Sequence, residues 1–150
     1  MNRKLRGFTL VELIVVIAII GVLAAILVPS ILGYVKKSKI SSANATAKTI
    51  YNAVTTAVIE ADIEGINVSA DYEPIPDKIE DKVERYVDLK EIKVAVLIEG
   101  MACKAVGIKD GTYAGSYPTP ATNAEIVVDG SSVEMDEVDA CKWAASNLED

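Results

Sequence analysis

Few side chains in this 150-residue sequence are equipped for chemistry, and those few are spaced far apart. Histidine is missing, which removes the commonest general base and the commonest transition-metal ligand. Two cysteines, Cys103 and Cys141, are too few for a thiolate metal site; they suit one disulfide outside the cytoplasm or two buried free thiols. Asp136, Glu137 and Asp139 offer oxygen ligands of the kind calcium takes, but no glycine-turned loop of regularly spaced ligands accompanies them, and a solvated acidic face is the better reading. With no glycine-rich phosphate loop and no nucleophile beside a base, no catalytic residue, cofactor or metal ligand is expected. The remaining oddity is Glu12, the one ionisable side chain in the 25 residues from Phe8 to Leu32. A carboxylate in a membrane costs about 2.5 to 3.5 kcal/mol at the bilayer centre, so Glu12 either lies near an interface or meets an opposite charge.

The element that carries Glu12 is long enough to matter. Twenty-five nearly uncharged residues make a helix of about 37 Å at ~1.5 Å per residue, against a hydrocarbon core of about 30 Å. A cleaved secretory signal is the rival, yet its apolar region is normally about 7 to 15 residues and ends at a small-residue site. The first such pattern here, Ala43-Asn44-Ala45, lies beyond the lysines that follow Leu32. Basic residues stand on both sides of the apolar run, so loop charge leaves the orientation nearly tied.

Charge is partitioned along the chain. Arg3, Lys4 and Arg6 precede the apolar run, Lys36, Lys37, Lys39 and Lys48 follow it, and residues 60–150 hold 21 acids against 8 bases. So acidic an end argues against direct nucleic-acid binding, whereas Lys36, Lys37 and Lys39 sit where they meet lipid headgroups.

The run Gly7-Phe8-Thr9-Leu10-Val11-Glu12-Leu13-Ile14, after a short leader with Arg and Lys, resembles the type III signal of type IV pilins and type II pseudopilins. The resemblance implies cleavage after Gly7 by a prepilin peptidase and methylation of the new terminus at Phe8. It also implies that Glu12, about one helical turn from that amine, pairs with the Phe8 amine of a neighbouring copy and sets register in a homopolymer. It further implies a membrane-anchored subunit, handled by a pilus assembly machinery and surrounded by lipid until it enters a cell-surface filament for adhesion, motility or DNA uptake. A pseudopilin of a secretion or competence system has the same start, and a membrane-anchored ligand-binding protein is the reading from a different class. Gly21 and Pro29 weaken a continuous helix, and in the family this stretch loses helicity on assembly. Many pilins also close a C-terminal loop with a disulfide, which here pairs Cys103 with Cys141.

The fold expected is α+β, a pilin-like lollipop: a long N-terminal helix packed on a small antiparallel sheet. Its parts are a cleaved leader 1–7, a membrane or filament-core helix 8–33, the amphipathic half of the same helix 34–64, and a β head 65–150. Ile40, Ala43, Ala47, Ile50, Val54, Ala57 and Ala61 recur in steps of three and four and mark the buried seam, with Gly65 as the stop. Asp77-Lys78-Ile79-Glu80 reads as a capping box opening a short helix to about Val87. Alternation over Ile92–Glu99 and Met101–Ile108 predicts a hairpin, Thr112–Asn123 an exposed loop, Glu125–Val128 with Ser132–Met135 a second hairpin unless Ser131-Ser132-Val133-Glu134 caps a helix instead, and Val138, Cys141, Ala145 and Leu148 a final helix.

Overall fold

The computed structural model describes residues 8–122, 125–128 and 131–146. The leader 1–7, Gly7 included, lies outside these residues, as does Leu148. The first helix, α1, runs from Leu10 to Ile63 and contributes to two compact units, Met1–Lys37 and Ser38–Asp150.

In the first unit α1 is apolar on every side and exposed on every side, from Leu10 at 73% to Val35 at 46%. By length and composition it is able to cross a membrane. Pro29 lies inside the helix, where its ring nitrogen has no hydrogen to give the Ala25 carbonyl.

The second unit is built on the seam. All seven expected positions, from Ile40 to Ala61, are buried, joined by Ala53 and Val58. Gly65, at φ 74°, ends the helix in a Schellman motif: the Gly65 N–H donates to the Asp62 carbonyl (3.0 Å) and the Ile66 N–H to the Ala61 carbonyl (2.8 Å). Ile66 then folds back against the core.

Four strands, β1 (Ala70–Glu73), β2 (Ile92–Glu99), β3 (Ala102–Asp110) and β4 (Tyr113–Tyr117), form an antiparallel sheet in chain order. The expected β2–β3 hairpin turns through Gly100 and Met101, both at positive φ, the geometry whose twist matches paired strands. Period two sends Val96, Ile98, Val106 and Ile108 into the core with α1, and Ala95, Leu97 and Ala105 into a second cluster beneath α3 (Glu137–Ser146). The sheet is therefore covered on both faces.

The α3 side is lined by small residues for a steric reason. A Cβ on Gly107 would collide with the α3 backbone at Glu137 and Cys141, so only glycine permits this approach. Gly115 in β4 plays the same part against the α1 backbone at Ala43 and Asn44.

Three expectations need correction. The stretch 112–123 is not wholly an exposed loop, since β4 occupies Tyr113–Tyr117 with Ala114, Gly115 and Ser116 buried. The helix at 77, here α2 (Asp77–Glu84), stops short of Val87, and its N-cap is Pro76, with no side-chain cap; Asp77 is already inside the first turn. The expected disulfide is not formed: Cys103 and Cys141 are both free and buried. A bulge pairs Ile98 with Cys103 and Leu97 with Ala105, turning Cys103 to the α1 face while Cys141 packs with Ala105 under α3. A small hairpin of β5 (Glu125–Val128) and β6 (Ser131–Glu134) precedes α3, close to where it was expected.

Candidate functional site

Phe8 is 81% exposed, just ahead of the first turn of α1. Thr9 caps that turn. Its backbone N–H (2.9 Å) and hydroxyl (2.7 Å) both donate to Glu12 Oε2, and the Glu12 N–H donates back to Thr9 Oγ1 at 3.2 Å. Thr-x-x-Glu is thus a reciprocal capping box, in which a carboxylate at the third helical position satisfies donors that the helix start leaves open. The helix dipole favours the same placement, because its N-terminus carries partial positive charge. Glu12 already has hydrogen-bond partners within its own chain.

Sequence reasoning singled out Glu12 but passed over Thr9, although the four-residue signature was there to be read. The structure brings Phe8, Thr9 and Glu12 together at one helix end; Gly21 and Pro29 lie further along the same helix, and no neighbouring atom approaches the place of a Gly21 Cβ.

The remaining chemistry-bearing residues have structural work. The acidic cluster is another capping box: the Asp139 N–H donates to Asp136 Oδ1 (2.8 Å), the Asp136 N–H reaches Asp139 Oδ2 (3.4 Å), and the Ala140 N–H meets the Asp136 carbonyl (3.0 Å). These groups start α3. Among the described residues no set of three or more acidic or cysteine side chains is placed to hold a metal ion. Burial and the nearby Cys141 push the Cys103 thiol up to about 12, and burial pushes Cys141 up to about 11, leaving both as poor nucleophiles at neutral pH.

One polar residue that the sequence reading placed on no functional list ties α1 to the sheet. Asn44 Oδ1 accepts from the Ser116 N–H (2.9 Å) and the Ala121 N–H (3.0 Å), while Nδ2 donates to the Ala121 carbonyl (2.9 Å). It takes up the Ser116 N–H of the edge strand β4, which would otherwise be an open backbone donor. A shallow groove of about 300 Å³ lined by residues including Glu80, Lys93 and Glu137 brings together no nucleophile and base.

Comparison with known proteins fits this end of the chain. Residues 2–28 match the prokaryotic N-terminal methylation motif. The chain is 44% identical over 61 residues to the type IV major pilin protein PilA of Myxococcus xanthus, covering 41% of this chain and 28% of that one. It is 38% identical over 60 residues to the type IV major fimbrial protein FimA of Dichelobacter nodosus, covering 40% and 38%. Against a fimbrial protein of Neisseria meningitidis serogroup B it is 36% identical over 127 residues, 84% of this chain and 63% of that one. The chain therefore spans less than two thirds of each of these relatives. No solved structure matches it.

Proposed function

Since the chain belongs to the type IV pilin family, we propose that it is a structural subunit of a type IV pilus, cut after Gly7 by a prepilin peptidase, methylated at Phe8 and polymerised through α1. The observation that carries this reading is Glu12, the one carboxylate of an otherwise apolar segment, fixed one turn from the proposed new terminus. Before assembly the exposed apolar half of α1 needs lipid around it, which makes the precursor a single-pass membrane protein with its head outside the cytoplasm. The relatives named above are major pilins and fimbrial proteins, which favours a pilus over a secretion pseudopilus.

Moving such a helix from lipid into a bundle of copies gains little from the hydrophobic effect, because acyl chains are as apolar as leucine. Packing and polar pairing must then select the register. A Glu12 carboxylate on an incoming copy, paired with the Phe8 amine of the copy already in place, does this, as one polar residue fixes register in an apolar helix seam. Adhesion, motility and DNA uptake are the surface roles open to the filament.

Peptide mass mapping of exported protein is expected to give a first residue of methylated Phe8, and Glu12→Ala to reduce sheared filament at least about tenfold while membrane insertion persists. An exported chain that starts elsewhere, or normal filaments from Glu12→Ala, would refute the proposal.

A further inference from the structure

Among the described residues beyond position 35, large apolar side chains are rarely exposed, and two that are, Ile59 at 55% and Ile63 at 81%, stand one turn apart on the outer side of α1. Carboxylates surround them. Asp62 is exposed between them in sequence, while Glu60 is held by Arg85 (2.7 Å) and Glu64 by Lys82 (2.6 Å). The exposed apolar run of α1 ends at Tyr34 (78%) and Val35 (46%), and is followed at once by Lys36, Lys37 and Lys39, all exposed. One patch is apolar with three carboxylates at its border, two of them already paired with Arg85 and Lys82, so that Asp62 carries its net negative charge; the other ends on three lysines.

We propose that the Tyr34–Lys39 patch of one copy docks on the Ile59–Ile63 patch of a second copy. This rests on the pilus-subunit reading and names two surfaces that would build the polymer. The two patches differ, so the contact is heterologous: every added copy leaves one patch of each kind open, and growth continues rather than closing as a two-fold dimer. Apolar burial supplies most of the attraction, since exposed ion pairs are individually weak. The opposite borders supply selectivity, because like charges brought together at a contact are strongly disfavoured.

The test uses the full-length chain in cells that produce and assemble it. Tyr34→Cys and Ile63→Cys place reactive thiols on the two patches, and a short bismaleimide links them, while Cys103 and Cys141 are buried. A chain carrying both substitutions is expected to give a covalent ladder, and either substitution alone none. Lys37→Glu with Lys39→Glu should weaken the ladder about tenfold, Asp62→Lys likewise, and all three together should restore it to within about twofold. A missing ladder, dimers from Tyr34→Cys alone, or a ladder indifferent to the charge reversals overturns the proposal. Sheared fibres are scored alongside: fibres without a ladder sink this contact and leave the pilus reading, whereas a charge-dependent ladder without fibres does the reverse.

Discussion

At the residue scale, Glu12 and Thr9 act as a pair. Replacing Thr9 by alanine removes the hydroxyl that donates to Glu12 Oε2 and accepts from the Glu12 N–H. The expected loss is about 1 kcal/mol at the helix start, seen as faster amide exchange over residues 10–13 in detergent, with Thr9→Ser restoring protection. Unchanged exchange would mean that the cap contributes nothing. The cysteines give a second residue-level expectation. Both thiols are raised from an ordinary value of 9.0, to about 12 at Cys103 and about 11 at Cys141. A raised value in the folded state means that the stabilisation is fully present below about pH 9 and is lost as pH climbs through about 11 to 12. Alkylation at pH 8 should therefore leave the folded chain unmodified, and after denaturation without reductant should add two adducts; fewer than two would show a bond between them.

At the element scale, Asn44 and Gly115 hold α1 close to the sheet, and Gly107 does the same for α3. Asn44→Ala strands two backbone N–H groups and one carbonyl, so thermal melting of the full chain should report a loss of about 2 kcal/mol. Gly107→Val forces α3 off the sheet and should cost about 3 kcal/mol, whereas Gly100→Ala, where no atom lies near the added carbon, is strained only by its backbone conformation. These same contacts explain which elements could be read from sequence. The α1 seam was legible because apolar residues recur at helical spacing on one side only, and β2 and β3 because large side chains alternate. β4 was hidden: Tyr113-Ala-Gly-Ser-Tyr117 lies so close to α1 that small residues replace the alternation of large ones. Capping boxes were legible in form but not in place, since Asp77-x-x-Glu80 is unused while Thr9-x-x-Glu12 and Asp136-x-x-Asp139 are made. The face Cys103 presents depends on a bulge at Lys104, and nothing in local composition announces an inserted residue.

At the scale of the whole molecule, the proposed assembly asks one helix to serve in two surroundings, and the demands conflict. In lipid no water is present to bond with free backbone groups, so α1 stays helical through Gly21 and Pro29 even though Pro29 gives the Ala25 carbonyl no bond. Those two residues nevertheless weaken the stretch between them, by about 3 kcal/mol for proline and about 1 kcal/mol for glycine relative to alanine. Among packed copies, neighbouring polar groups and trapped water can take over the bonds that lipid cannot. The helix over residues 21–29 is therefore expected to hold in the membrane subunit and to melt on polymerisation, lengthening the chain between its core and its head. Hydrogen exchange measured on detergent-extracted subunit and on sheared fibres tests this directly: protection of residues 22–28 should be high in the first and low in the second. Gly21→Ala with Pro29→Ala should keep those amides protected in both, and should give fibres that extend less under load. Equal protection of the native sequence in the two preparations would show that the weak stretch stays helical, leaving Pro29 with no part in assembly.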